Sequence, residues 1–523
     1  MILGLSQKNL STFIAIIIAI LTTGFLRVHW ITFLPEPDGG LYTFFSQYFY
    51  TKLSNGEPIG PGYPVALYSL MTSWIFSLEV NQYVALRWID LCLAIIASIL
   101  FFKIIEKESG SILFTTVLVG TLLLVMNNHS FVLYGFRNSI WAAYVPLFLA
   151  LLISQKTNSQ NQYLFFLIGG LVTLGVLLRE PFLFFYLVGA IAILLNYGLK
   201  IFFKYLIGSA ILGFSVLFAL IILRGGASPL IIIESYIGFA GAMQDLTDEL
   251  LVSNFFKNGL IAIKAYWFGI TISLFSTIYI LKLIFKNKKL INIKRLIFWS
   301  TLAIIPIVEP LLKLGFDYHF INCIPGLAGI SAMGWKYLSI NESKLIKKYV
   351  MISFIFLSIF GSLPNFIKTI NMNVYKQKNV VSNAYNHLSE NNFSKMETIV
   401  QSNYLIAADM IKHLSRENST LATAGFAQVL YPLTGLLPPT FKLMDLRMLY
   451  QSINWNEDKL VNILKKEKPT IIFPTSQMLP GIKNLTRAIA RTNLYERVAI
   501  VSYSPEVYYK SISGDIYRLK DFE

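Results

Sequence analysis

The chain has 523 residues, of which 55% are hydrophobic and 14% charged, whereas about a quarter of the residues in an ordinary soluble domain are charged. This composition excludes a soluble globular protein. The net charge of +16 does not indicate a nucleic-acid-binding protein, because the Lys and Arg residues lie at the ends of apolar runs and form no contiguous basic face.

In chain order, apolar runs of spanning length lie near residues 10–31, 83–105, 111–127, 138–154, 162–178, 182–199, 205–223, 259–281, 296–312, 319–338 and 349–366. With a cytoplasmic N-terminus, every inner loop carries Lys or Arg, as the positive-inside rule requires. The apolar segment 62–78 would reverse all later loops if it crossed the membrane, so we expect an interfacial or re-entrant helix there, or an unrecognised partner span. The prediction is a polytopic α-helical protein with about 11–13 transmembrane helices in a bacterial inner membrane.

After residue 370 the hydropathy falls, and the pattern predicts strands at 419–424, 470–473, 497–502 and 515–518 and a helix at 458–466. We therefore divide the chain into a transmembrane domain, residues 1–370, with a large outer loop at 32–82, and a small α/β soluble domain, residues 371–523, on the extracytoplasmic side. This second part, here called the tail, carries no nucleophile motif, phosphate-binding glycine loop or metal-ligand spacing, so we place no catalysis in it.

The outer loop contains two carboxylates two residues apart, Glu36 and Asp38. Pro35 and Pro37 restrict the backbone around them and hold the acids at the membrane face in a stiff turn. Such a pair can accept a proton, orient a hydroxyl or hold a divalent cation such as Mg²⁺ or Mn²⁺, although a solvated loop carries isolated acidic residues equally well. The sequence does not specify a metal.

Basic residues at the outer ends of the spans run against the positive-inside bias. They are Arg137, Arg179, Lys313 and His319, with Asp317 close to the last two and Glu180 next to Arg179. A guanidinium fork suits phosphate oxygens, so the set indicates a bound anion. Each residue alone is also explained by interfacial snorkelling or by a local salt bridge such as that of Arg179 with Glu180.

In architecture the chain resembles the polyprenyl-phosphate-sugar glycosyltransferases of the GT-C superfold, the group that includes protein O-mannosyltransferases and aminoarabinose transferases. The likeness rests on the acidic motif 36–38 followed by Tyr42, on the turn 60–64 with Tyr63, and on the entry into the second span at Arg87. It rests further on the small-residue helix 175–179, the span entry 317–327 and the tail segments 468–473 and 516–518.

The resemblance implies an inverting transfer of a hexose or pentose from a polyprenyl-phosphate carrier to a glycan, lipid or protein acceptor at the extracytoplasmic face. It implies that Asp38 is the base or acceptor-orienting carboxylate and that Glu36 positions it. The donor phosphate would be bound by Arg179, His319, Arg137 and Lys313. The acceptor would be bound or positioned by Tyr42, Tyr63, Asp317 and Tyr318.

Two other functions stay open. A polysaccharide polymerase or ligase would more naturally place its arginines in a large outer loop in the middle or late part of the chain. A transporter or flippase for lipid-linked substrates would have charges near the bilayer midplane and broken helices in two repeated halves.

Overall fold

The structure is a computed structural model that describes residues 7–28, 31, 37–59, 67–78, 80–127, 139–157, 161–226, 228–230, 248–286, 292–312, 317–371, 402–425, 427–475, 482–501 and 514–520. Within these residues the chain is mostly α-helical, and one small sheet lies near the C-terminus.

The first part of the chain is a bundle of helices. Helix α1 (Gln7–Ala19) continues through a π-helical turn (Ile20–Gly24) into α2 (Phe25–Val28). The others are α3 (Pro37–Ser54), α4 (Leu67–Thr72), α5 (Gln82–Ser109), α6 (Ile112–Met126), α7 (Ser139–Ser154), α8 (Leu164–Leu178), α9 (Leu183–Tyr197), α10 (Leu199–Leu223), α11 (Asp248–Phe285), α12 (Ile293–Leu312), α13 (Ile324–Asn341) and α14 (Lys344–Asn371). A 3-10 helix, Asp317–Cys323, precedes α13. Each predicted span coincides with one of these helical stretches.

Five helical stretches in the described part of the chain are long and apolar enough to cross a membrane: Asn9–Val28, Gln82–Ser109, Leu199–Leu223, Ser253–Phe285 and Lys344–Pro364. Four apolar helices are shorter: Ile112–Met126, Ile140–Ser154, Leu164–Leu178 and Leu183–Tyr197. The prediction of a mainly helical chain with apolar helices of membrane-spanning length is therefore confirmed.

The helices of the bundle end in two polar layers. At one layer, here called the far end, Ser11 of α1 donates a hydrogen bond to Glu106 of α5. At the other layer, here called the tail end, the Ile59 amide donates to the Leu223 carbonyl at the end of α10 (3.0 Å). Helix α8 runs parallel to α10, because Gln162 meets Lys204 and, further along, Gly169 meets Ser209. The end of α8 therefore lies at the tail end.

The outer-loop segment forms two packed helices. The hydroxyls of Ser46 and Thr72 are 2.7 Å apart, and the rings of Tyr42 and Tyr68 pack edge-on at 5.6 Å. Helix α4 has six residues and continues into a five-residue 3-10 helix, Ser73–Ser77, which is far short of the roughly 20 residues of a span. Residues 62–66 of the segment 62–78 lie outside the described part, so the interfacial or re-entrant helix stays a prediction.

The acidic motif differs from the stiff turn that the sequence predicts. Pro37 is the first residue of α3, and Asp38 follows in its first turn. Proline suits this position because the first amide of a helix needs no intrahelical partner, and a carboxylate there interacts favourably with the helix dipole. Pro37 and Asp38 therefore begin a helix, and the helix fixes the backbone of Asp38.

The tail contains a four-stranded sheet in the order β1-β2-β4-β3. Its strands are β1 (Leu421–Ala424), β2 (Ile471–Pro474), β3 (Tyr495–Val501) and β4 (Gly514–Leu519); β1 and β2 are parallel and the other pairs antiparallel. The described helices are α15 (Ser402–Leu414), α16 (Leu430–Thr434), α17 (Leu446–Ser452), α18 (Glu457–Glu467) and α19 (Ile482–Arg491). All four predicted strands and the predicted helix are confirmed, with ends within two residues.

The tail packs directly on α3. The Phe44 ring lies 4.5 Å from that of Tyr431 and stacks on Phe441 at 6.1 Å. Gly40 approaches the backbone of Val429 so closely that a Cβ would come within 2.7 Å of its nitrogen. The Tyr83 hydroxyl, at the start of α5, donates to the carbonyl of the same Val429 (2.8 Å). The tail thus holds the start of α3 against the start of α5.

Candidate functional site

A buried ion pair lies at the tail end between α2 and α5. Arg27 pairs with Asp90 through Nη1, and its Nε donates to Asn127 Oδ1 at 2.7 Å. The Asn127 Nδ2 atom donates to the Thr23 hydroxyl (3.2 Å). Thr23 lies in the π-helical turn, and its hydroxyl is hydrogen-bonded to that of Ser98 (2.8 Å). Arg27 is 6% exposed and Asp90 4%. Because buried charges are costly unless paired, this network fixes the ends of α2, α5 and α6 relative to one another.

A second guanidinium gives this cluster an excess of positive charge. Arg87 lies one turn before Asp90 on α5, is buried, and is close enough to Arg27 and Asp90 to interact with both electrostatically. Two guanidinium groups thus share one carboxylate in surroundings poor in water. An anion at this end of the bundle would be attracted to the cluster.

Aromatic side chains connect the cluster to the 3-10 helix Asp317–Cys323. The Arg27 guanidinium lies over the Trp141 ring at 5.1 Å, and Trp141 packs against Tyr144 at 5.9 Å. The Tyr144 hydroxyl donates to the Ile321 carbonyl (3.1 Å) and to Asn322 Oδ1 (3.2 Å). Side-chain contacts therefore connect Arg27 on α2, through Trp141 and Tyr144 on α7, with Asn322 on the 3-10 helix.

The structure brings Arg179 and the 3-10 helix together. Arg179 ends α8 in an extended conformation and lies near enough to Tyr144 to act on it electrostatically. His319 precedes Asn322 by three residues, and residues three apart in a 3-10 helix lie on the same face. Of the four predicted phosphate ligands, Arg179 thus lies near Tyr144, and His319 lies on the 3-10 helix to which Tyr144 is hydrogen-bonded.

An apolar groove lies on the outside of the bundle, and α8, the helix that Arg179 ends, forms one of its walls. The groove has a volume of about 520 Å³ and runs between α8, α9 and α10, with Val176, Leu183 and Leu217 in its walls. Val176 is three residues before Arg179, about 4.5 Å along the helix axis. The Nη1 atom of Arg179 is buried and has no hydrogen-bond partner among the described residues. A buried donor of this kind requires an acceptor.

The start of α3 is placed by its contact with the tail. Gly40, two residues after Asp38, touches Val429, and Val429 is bonded to Tyr83, one turn before Arg87 on α5. The backbone of Asp38 therefore lies above the end of α5 that carries the Arg87 and Asp90 side chains.

Buried polar groups of the tail support this contact. Asp445 caps α17 by accepting from the amides of Arg447 and Met448, and it also accepts from Gln428 Nε2 (2.7 Å). Burial raises the pKa of Asp445 above its ordinary value. Gln428 directly precedes Val429, so the hydrogen bond from Gln428 to Asp445 connects the segment that contacts Gly40 with the core of the tail.

Several predicted site residues lie outside what the structure describes. Glu36, Tyr63, Arg137 and Lys313 are outside the described residues, and the side chains of Asp38, Asp317 and Tyr318 are outside them too, although their backbones are helical. Their roles stay predictions. Tyr42 is described and packs in the contact between α3 and α4.

In the described parts of the chain, no group of three or more His, Cys, Asp or Glu residues is arranged to hold a metal ion. Glu36 and the side chain of Asp38 lie outside the described residues, so a divalent cation at this pair stays a prediction.

Arg27, Asp90 and Asn127 were missed by the sequence reasoning. A charge inside a span is expensive and usually has a function, so Asp90 within the predicted span 83–105 was an available signal. Asn127 closes the predicted span 111–127 and carries no comparable signal.

Comparison of the chain with models of protein families and with curated proteins gives no match. The likeness to GT-C glycosyltransferases therefore rests on the residues quoted above.

Proposed function

We propose that the protein is a membrane glycosyltransferase of the GT-C type, which transfers a sugar from a polyprenyl-phosphate carrier to an acceptor at the tail end of the bundle. The observation that carries the proposal is the position of Arg179. Its buried Nη1 has no hydrogen-bond partner among the described residues, and its helix, α8, forms one wall of an apolar groove that is open on the outside of the bundle, where Phe214 is 71% exposed. An isoprenoid chain fits such a groove, and its phosphate would meet the guanidinium.

In this proposal the reaction is a single displacement at the anomeric carbon. The acceptor oxygen forms a bond to that carbon while the bond to the phosphate oxygen breaks, and the phosphate takes the electron pair. Asp38 accepts the proton of the acceptor hydroxyl, a contribution of about 10²–10⁴ in rate. Arg179 stabilises the charge that develops on the leaving phosphate, together with His319, and loss of such a donor costs on the order of 10²-fold or more. Attack from the opposite face inverts the configuration.

The same proposal assigns the orientation of the chain. All the predicted spans cross a bacterial plasma membrane, the far end is cytoplasmic, and the tail end with the tail is extracytoplasmic. Basic residues at the far end, such as Lys103, Lys204 and Arg295, support this orientation. Nucleotide sugars are absent from the outer face, so a lipid-linked donor is the appropriate substrate there.

The distribution of charge favours a transferase over a transporter. The cluster of Arg27, Arg87 and Asp90 lies at the tail end of the bundle, where α3 and the tail pack, and Arg179 lies at the same end. A transporter of the alternating-access kind would place its substrate-binding groups near the bilayer midplane.

The proposal is tested with the purified protein in lipid nanodiscs. A panel of radiolabelled undecaprenyl-phosphate hexoses and pentoses is supplied with membrane extract as the source of acceptors, and transferred label is measured. We expect transfer by the wild type, a loss of about 10²–10⁴ in Asp38→Asn and of about 10² in Arg179→Gln. Matched controls are Asp458→Asn and Arg416→Gln in the tail, which should retain full activity.

Two results would contradict the proposal. One is no transfer from any carrier by the folded wild type. The other is transfer by Asp38→Asn and Arg179→Gln at the rate of the control variants.

A further inference from the structure

A second cavity lies at the opposite end of the bundle from Arg179. It has a volume of about 210 Å³ and is enclosed by α7, α8, α9 and α12, with apolar walls that include Ala150, Val188 and Leu302. Its polar rim consists of residues at the far ends of these helices: Gln155, Asn196, Asn292 and Arg295. The cavity is therefore an apolar slot that opens towards the far end.

The rim is positively charged. Arg295 pairs with the buried Glu108 through Nε at 2.6 Å, which neutralises one charge. Lys107 lies within electrostatic reach of this pair and of Lys156, and Lys294 donates to the Leu195 carbonyl at the end of α9 (2.8 Å). The basic groups around the mouth thus outnumber the one carboxylate, Glu108, in the described part of this rim.

Two polar groups in the cavity wall have no partner. Trp299 is 1% exposed, and its Nε1 donor has no hydrogen-bond acceptor among the described residues. The Oε1 acceptor of Gln155 is likewise buried and unpartnered there. Since buried polar atoms nearly always find a partner, a ligand with both an acceptor oxygen and a donor hydroxyl would satisfy both.

We propose that this slot binds an anionic phospholipid with a hydroxyl-bearing headgroup, taken from the leaflet at the far end. One acyl chain occupies the space between Ala150, Val188 and Leu302, and the phosphate lies among the basic groups of the rim. Arg295 and Trp299 are four residues apart and so lie above one another on α12, about 6 Å along the axis. Ester oxygens lie a few bonds deeper than the phosphate, which places them at the level of the Trp299 N–H. The headgroup hydroxyl donates to Gln155.

The site is distinct from the proposed donor groove. That groove runs between α8, α9 and α10 and is lined by other residues than the slot, which opens at the far end. A lipid bound here would fill the space between α7, α9 and α12 and stabilise their packing, and it would not take part in sugar transfer.

The test uses the full-length protein purified in detergent, with phosphatidylglycerol as the anionic probe and phosphatidylcholine as the zwitterionic one. Native mass spectrometry counts the bound lipid, and a thermal melt reports its effect on stability. We expect the wild type to retain one phosphatidylglycerol and to melt at a higher temperature with it than with phosphatidylcholine.

Two variants locate the binding. Ala192→Phe places a ring in the slot without removing a polar group and should abolish retention of the lipid. Trp299→Phe removes one donor and should weaken phosphatidylglycerol binding about 2- to 10-fold. The matched control, Trp267→Phe, lies outside the slot and should bind as the wild type does. Equal binding of both lipids, or retention of phosphatidylglycerol by a folded Ala192→Phe protein, would overturn the proposal.

Discussion

The contact between Gly40 and Val429 allows a direct test of whether the tail positions the start of α3. A Cβ on residue 40 would lie 2.7–2.8 Å from the N, Cα and Cβ atoms of Val429, where ordinary contacts begin at 3.4 Å. In Gly40→Ala, the Val429 backbone must therefore retreat by about 0.7 Å. The hydrogen bond from Tyr83 to the Val429 carbonyl, 2.8 Å long, would then reach the limit of a hydrogen bond.

The expected cost follows from three contributions. Overpacking costs about 1–3 kcal/mol, and loss of the Tyr83 bond costs about 0.5–1.5 kcal/mol. Replacement of a helical glycine by alanine returns about 0.5–1 kcal/mol. The middles of these ranges sum to a weakening of tail docking by about 2 kcal/mol. The matched control is Gly120→Ala in α6, where the nearest atom to the new Cβ is 3.9 Å away. Because this alanine meets no clash, only the gain in helix stability remains, and Gly120→Ala should be slightly stabilising.

Hydrogen exchange of the detergent-purified protein measures this weakening. Amides of residues 39–46 and 427–434 should exchange about 5- to 150-fold faster in Gly40→Ala than in the wild type, because exchange follows the free energy of local opening. The same amides should be unchanged in Gly120→Ala. If both variants exchange alike at 427–434, the tail does not depend on this contact and the reasoning fails.

Two further predictions concern charged groups. Asp90→Asn leaves Arg27 buried without its carboxylate, so thermal unfolding in detergent should show a loss of about 3–5 kcal/mol. Because Arg87 also interacts with Asp90, the triple variant Arg27→Met, Arg87→Met and Asp90→Leu should recover most of it, and a triple variant no more stable than Asp90→Asn would contradict the pairing. In the tail, hydrogen bonds from Arg487 and Arg491 lower the pKa of Glu457 from 4.5 to about 2. A carboxylate with a depressed pKa stabilises the fold above its ordinary pKa and loses this effect as the pH falls, so exchange in α18 and α19 should rise between pH 4.5 and about 2. Glu457→Gln should remove that rise, and an equal acid response in both proteins would refute the assignment.

The helices of the bundle could be predicted because their signal is local. A run of apolar residues long enough for the hydrocarbon core, as in α5 and α10, has one stable conformation in lipid, where every backbone group must be paired internally. The tail strands could be predicted for a similar reason, since short apolar runs such as Ile471–Pro474 are separated by polar turns.

The acidic motif shows where local reasoning ends. Two prolines in four residues predicted a stiff turn, yet Pro37 begins an 18-residue helix. Proline is compatible with both, because its fixed φ suits a turn and the first position of a helix equally. The helix is selected by its packing on α4 and on Phe441, which the residues around position 37 do not encode.

The polar cluster could not be predicted from spacing. Its members are brought together from three helices, with Arg27 separated by 63 residues from Asp90 and by 100 from Asn127. Only Asp90, a carboxylate within an apolar run, stood out locally. Arg179 was found because it is a basic residue at the outer end of an apolar run, but the groove that α8 helps to form depends on how α9 and α10 pack.

The glycine at position 40 shows how the tail and the membrane part depend on each other. In the sequence it follows Gly39, and a glycine inside a helix lowers helix stability by about 0.5–1 kcal/mol relative to alanine. The structure gives a steric reason for it, because Val429 occupies the space that any larger side chain would need. Gly40 thus lowers the intrinsic stability of α3, but it also allows Val429 of the tail to contact both α3 and Tyr83. The tail thus restrains the helix that carries Asp38, although it contributes no group to the proposed chemistry.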